Sequence, residues 1–250
     1  MKPRSILVLL LVLAGASVCV RLGFWQISRW HEKQSLNAAL RGALAAPPLV
    51  IRGATPPLDS VRGRRVEARG RFDESRQVLL AGRASEGSPG VDVVTPLLIA
   101  GGSGAVLVDR GWLYAPDAAT ARPQDFPEPG ERLVVGVAEP LRRGAGGTPI
   151  RLLRADSARP TARYSARWLD LDSLAGRFPY PLASYMLRQL PGAGVPAKPF
   201  RRAPRPLDEM MHVSYAVQWF LFAAIMLGGS AALARSRRRG RGMVVLRRET

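Results

Sequence analysis

The sequence predicts a membrane protein in which two transmembrane α-helices flank a mainly β (α+β), barrel-like extracytoplasmic domain. Three observations predict it. Each end carries an apolar run long enough to cross a bilayer. The stretch between them alternates polar and apolar residues in short segments punctuated by Gly and Pro. Basic residues precede the first run and follow the second. The resulting division is residues 5–27 for the first span, 28–211 for the domain, 213–234 for the second span and 235–250 for a basic cytoplasmic tail.

Within 5–27 the only charge is Arg21, and residues 6–20 carry none. At about 1.5 Å of rise per residue this run covers the roughly 30 Å hydrocarbon core. Arg21 falls near its far end, from which a long side chain reaches the interface, and Trp25 and Trp30 stand where an aromatic belt forms. A signal peptide is the competing reading. Lys2 and Arg4 would make its n-region and Ala14-Gly-Ala16 its cleavage site, but hydrophobicity continues through Leu22-Gly-Phe-Trp25, which favours a retained anchor. Residues 213–234 contain no charge, with small residues from Met226 to Leu233 that suit close helix approach in lipid. Lys2 and Arg4 before the first run, with the arginine tail after the second, place both termini in the cytoplasm. The domain is then outside the cytoplasm: periplasmic, in the inner (plasma) membrane, if the source is a Gram-negative bacterium.

After the first span, residues 28–44 keep a helical pattern until Pro47-Pro48 stops it, and a Gly/Pro-rich connection runs to Gly63. Residues 64–72 alternate: Val66, Ala68, Gly70 and Phe72 face one way, Arg65, Glu67, Arg69 and Arg71 the other. Residues 77–82, 91–100, 105–113, 132–141 and 184–190 read as further strands, and Gly101-Gly-Ser-Gly104 as a hairpin turn. A short helix is expected over 171–178 with Asp170 as its N-cap, and 191–206 reads as a Gly/Pro-rich linker.

The formal charge of +18, from 37 Lys+Arg against 19 Asp+Glu, invites a nucleic-acid reading. The pattern argues against it. Arg235, Arg237, Arg238, Arg239, Arg241, Arg247 and Arg248 crowd the tail beside an apolar run, and the other arginines stand singly without interleaved aromatics. The single cysteine, Cys19, can form no intrachain disulfide or Cys-x-x-Cys site. With His31 and His212 as the only histidines, a multi-histidine metal site is excluded, and no nucleophile elbow or phosphate loop is present. The chain is therefore not expected to be an enzyme. Asp109-Arg-Gly-Trp112 closes a strand with a charge pair and an aromatic, readable as a structural strand end or as a ligand or partner contact. His212 opens the second span, followed at helical spacing by Tyr215, Ala216 and Trp219. It reads either as an interfacial histidine bonded to headgroups or as an axial haem ligand, the latter suiting a lone imidazole better than zinc does.

These residues carry a family resemblance. Leu22-Gly-Phe-Trp-Gln-Ile-Ser-Arg29 with Lys33, Gly70-Arg-Phe-Asp73, Gly90-Val-Asp-Val-Val-Thr-Pro-Leu97, Val106-Leu-Val-Asp-Arg-Gly-Trp112 and His212-Val-Ser-Tyr-Ala-Val-Gln-Trp-Phe220 occur in order between two spans. Together they resemble the Surfeit locus protein 1 (Shy-type) family of cytochrome c oxidase assembly factors over about residues 5–234. The resemblance implies a non-enzymatic role, receiving haem a from haem a synthase and aiding its insertion into cytochrome c oxidase subunit I at the lipid bilayer. A scaffold that stabilises oxidase intermediates without haem is the alternative. It also implies His212 as the haem iron contact, with Tyr215 and Trp219 in the same motif and Trp25, Gln26 and Arg29 in the first-span motif. Met210 stands where the family commonly has asparagine, Asp208-Glu209 replace a more basic approach, and 144–163 match poorly. A further expectation, beyond the resemblance, is a bis-histidine clamp of His31 and His212 with Arg21 or Arg29 near the haem propionates.

Overall fold

The computed structural model describes residues 3–141, 151–152 and 164–246. Lys2, Arg247, Arg248 and most of the poorly matching 144–163 stretch lie outside the described residues. Two compact units result: Met1–Leu40 with Pro206–Thr250, and Arg41–Arg205.

The first unit is a helix pair. Helix α1 (Pro3–Ala45) runs 43 residues without a break at residue 27, a rise of about 65 Å. Its end at Ala45 falls just before Pro47-Pro48, which can neither donate to nor continue the helical ladder. Both α1, over Ile6–Ala45, and the last helix, over Met210–Ser236, are long and apolar enough to cross a membrane. Buried positions on α1 recur every three or four residues, at Ala16, Cys19, Gly23 and Gln26, which is the seam spacing of a helix–helix contact. The partner positions run the opposite way. Ala223 joins Ala16 and Cys19 in one buried cluster, and Phe220 lies against Gly23. A Cβ on Gly15 would come 3.2 Å from Met226 Cε, so the small residues set how closely the backbones approach.

The second unit is a sheet closed into a barrel. Its elements are β1 (Leu49–Ile51), α2 (Leu58–Val61), β2 (Arg65–Phe72), β3 (Val78–Ser85), β4 (Ser88–Ile99), β5 (Ala105–Tyr114), β6 (Glu131–Pro140), β7 (Arg151–Leu152), β8 (Tyr164–Ala166), α3 (Leu171–Leu174) and β9 (Leu182–Gln189), followed in the helical unit by α4 (Met210–Leu246). Closure runs β2-β6-β9-β5-β4 and back to β2, where Gly70–Phe72 pair with Leu97–Ile99. The first half of β4 pairs along the same edge with β3, so one 12-residue strand serves two neighbours in turn. β1 adds in parallel to β2, and β8 and β7 extend the sheet beyond β3. Gly70 is required at the closure, because a Cβ there would strike the Leu98 carbonyl.

The alternation expected for 64–72 holds: Val66, Ala68 and Phe72 enter a core shared with Leu97, Val106, Val108, Val134 and Leu187. Gly101–Gly104 turns the β4–β5 hairpin as expected. Other details differ. The helix over 171–178 is a single turn, Leu171–Leu174. Asp170 does cap it, accepting from the Asp172 N–H, but Gly176 at φ +70° and Pro179 prevent continuation. The connection before Gly63 contains β1 and α2, too short to show periodicity. Asp109 and Arg110 do not pair with each other, because adjacent strand residues point to opposite faces. The strand ends at Tyr114, one residue beyond the expected 113, with a register shift against β4 at Val93/Val94.

Residues 191–205, expected to be a linker, form a strap tied to the barrel. Phe200 exchanges two backbone hydrogen bonds with Trp112. Gly111, at φ +118°, makes this approach possible, since a Cβ there would meet the Phe200 carbonyl. The buried Arg201 guanidinium donates to Gln189 Oε1, to the Pro196 and Pro199 carbonyls and to Glu128. Glu128 also receives the fully buried Arg110, whose Nε lies 3.0 Å from Oε1. One buried carboxylate thus serves two guanidiniums, Arg201 being completed by the strap's carbonyls and Gln189, and Arg110 donating also to the Phe126 carbonyl.

Candidate functional site

The first four residues of α4 bring His212 onto the face that meets α1. Three contacts set that register. Asn37 donates through Nδ2 to the Leu207 carbonyl (2.9 Å) and to Glu209 Oε1 (2.6 Å), and accepts from the Leu207 N–H (2.8 Å). Lys33 Nζ donates to the Asp208 carbonyl at 3.1 Å. Asp208 in turn accepts from the Met210 N–H, which caps the helix. Asn37 is buried, and its three hydrogen bonds fix the approach to the helix.

Eleven residues nearer the start of α1, Gln26 is 8 % exposed and lies 2.6 Å from His212, Oε1 against Nδ1. A glutamine carbonyl oxygen only accepts, so Nδ1 of His212 carries the proton and donates it. In the neutral ring Nε2 then keeps its lone pair. This is the arrangement found for metal-binding histidines, whose second nitrogen is held by a carbonyl or carboxylate. Among the described residues no three His, Cys, Asp or Glu side chains gather as a metal site.

The remaining residues expected at this site divide into two groups. Trp219 lies on the seam, packed against Ala16, Cys19 and Ala223, with its ring edge-on to Phe222 at 5.9 Å. Trp25 and Tyr215 are about half exposed. Arg29 makes an exposed ion pair with Glu32 one turn away. His31 is exposed too, tilted against the Trp30 ring at 4.8 Å, and is not part of the pair. Two contributions were missed from sequence. Phe24 and Phe220 meet edge to face at 5.4 Å beside the seam, and Asn37 clasps the start of α4. The spacing 26, 30, 33, 37 along α1 was the available signal for the latter.

A profile of the SURF1 family matches residues 13–224, which takes in most of α1, the first part of α4, the barrel and the histidine–glutamine pair. The chain belongs to the SURF1 family. Relatives within and near it include an uncharacterized SURF1-like protein of Mycobacterium tuberculosis, 31% identical over 118 residues that cover 45% of this chain and 43% of the relative. A SURF1-like protein of Rickettsia felis is 32% identical over 105 residues, 41% of this chain and 45% of that one. The cytochrome oxidase assembly protein SHY1 of Saccharomyces cerevisiae is 27% identical over 146 residues, 56% and 38% of the two chains. The chain spans less than half the length of each of these three relatives. The family found is the one the five sequence motifs resemble.

Proposed function

We propose that this SURF1-family chain is an assembly factor for haem–copper cytochrome c oxidase, taking haem a from its synthase and passing it to subunit I. Family membership supports the oxidase role, as does similarity to a yeast protein named for oxidase assembly. The observation that carries the haem role is the His212–Gln26 hydrogen bond, which leaves Nε2 of His212 as a lone-pair donor. Haem a is the cargo, and an imidazole supplies one axial ligand to its iron. A single ligand suits a group that must be handed on. The exposed rings of Trp25 and Tyr215 offer aromatic surface for the macrocycle, and Arg29 offers a cation for a propionate. By the positive-inside rule the helices cross a bacterial inner membrane with both termini in the cytoplasm and the barrel in the periplasm.

Co-expression of the full chain with haem a synthase, followed by a pyridine haemochrome spectrum of the purified protein, tests the reading. Haem a bound to the chain supports it. A chain that retains subunit I but carries no haem a is instead a scaffold.

A further inference from the structure

On the outer face of the sheet, away from the barrel core, lies a cleft of about 470 Å³. Its floor is built by adjacent strands: Asp92 on β4, Asp109 on β5 and Arg188 with Met186 on β9. The end of β3, carrying Arg83, forms one wall, and the strap, with Arg202 and Arg205, forms the other. Both aspartates are almost fully buried, at 4 % and 3 % exposure.

The charges in this cleft are not evenly matched. Asp92 accepts a hydrogen bond from Arg202 and forms an ion pair with Arg83, whose buried Nε–H stands 3.4 Å off without a hydrogen bond. Asp109 accepts only the Gly111 N–H, with Arg188 Nε standing off at 3.9 Å. That Nε–H is buried and makes no hydrogen bond, while the same guanidinium donates elsewhere to Glu139. Arg205 pairs loosely at 3.4 Å with the exposed Glu86, an attachment solvent screens strongly. The cleft therefore offers an unused buried donor on Arg188 and a weakly engaged guanidinium on Arg205. Of its two buried acids, Asp109 is the more loosely held and can turn into a donor by taking a proton.

We propose that this cleft binds a small anionic group, a carboxylate or a phosphate, seated on Arg188 and Arg205 with the Asp109 carboxyl donating to it. The seat suits an anion because a cation would have to displace Arg83 and Arg202 from Asp92. Uptake of the anion is linked to protonation. Burial first, then the Asp92 charge, raises the Asp109 carboxyl to about 6 against the opposing pull of Arg188 and Arg202. The charged groups facing it are Asp92 from β4, Arg83 from β3, Arg188 from β9, and Arg201 and Arg202 from the strap. An arriving anion adds negative charge beside Asp109, so binding and protonation favour each other.

The test uses the full chain in detergent, titrated with inorganic phosphate and separately with succinate at constant ionic strength, reading the shift in thermal unfolding. At a pH about one unit below 6, one or both probes should stabilise the chain saturably, and two units higher the affinity should fall at least about tenfold. Phosphate alone, or succinate alone, identifies the group. Arg188→Gln should weaken binding about tenfold, and so should the surface variant Arg205→Gln, which leaves the buried floor intact. Asp109→Asn, a permanent donor, should bind with the same affinity at both pH values. No saturable shift with either probe, or shifts unchanged in both arginine variants, overturns the proposal.

Discussion

Gln26 Oε1 accepts the Nδ1 proton of His212 at 2.6 Å, across 186 residues of sequence. That bond selects the tautomer and holds the ring plane, the two properties a histidine needs before it can serve as a metal ligand. Gln26→Leu, close in volume but without the acceptor, should therefore lower haem a retention by about 10- to 100-fold while leaving the helix pair intact. Visible absorption of the purified chain at fixed protein concentration reads the loss.

Loss of His31 should do nothing to that spectrum. The side chain is exposed and rests on Trp30 rather than on the pair, so a bis-histidine clamp has no support in its placement. Haem spectra of His31→Ala that match the wild type fit this account. A changed axial-ligand signature would restore the clamp.

Gly23 faces the Phe220 ring so closely that a Cβ would strike it. Gly23→Leu should separate α1 from α4 at this level and destabilise the pair by about 1–3 kcal/mol, the usual cost of overpacking. Adding Phe220→Ala should recover part of the loss, because the two changes share one space. Thermal unfolding of the four chains in the same detergent measures the coupling.

Arg201 is the strap's most buried side-chain tie to the barrel. Arg201→Ala removes a buried partner of Glu128 and leaves the Pro196 and Pro199 carbonyls and Gln189 without a donor. Arg110 still pairs with Glu128, so the cost comes from the orphaned buried acceptors, about 1–3 kcal/mol, and chemical unfolding followed by barrel tryptophan fluorescence should show a loss of that size. Arg202→Ala, whose side chain is partly exposed, should cost less.

Asp109 gives a pH dependence with a definite sign. Its folded carboxyl titrates near 6, above the ordinary value of 3.8, so the folded chain binds a proton that the unfolded chain has released between those values. Stability from this group is full below the unfolded value and is lost as pH rises through about 6. Asp109→Asn should remove that fall and be the more stable chain at neutral pH, by an order of 1–3 kcal/mol. Paired denaturation curves at several pH values check the difference.

Much of this was legible in the sequence, and the limits have physical causes. The alternation in β2 and the apolar ends announce a half-buried strand and two spans because burial repeats locally with the element's own period. Barrel closure leaves no such mark, since β4 divides one edge between β2 and β3 by bending, not by composition. Arg201 reads as part of a Gly/Pro-rich linker because its partner Glu128 lies 73 residues away. The same distance problem hid the Gln26–His212 bond. Family resemblance named both residues, but only packing of α1 against α4 makes one the holder of the other.

The most direct test of the central claim is the haem a content per chain of wild type and His212→Ala, each co-expressed with haem a synthase and purified in the same detergent. The account predicts haem a on the wild type and its loss on the variant, with the two chains unfolding at similar temperatures. Equal haem a on a folded His212→Ala chain, or none on the wild type, would contradict it.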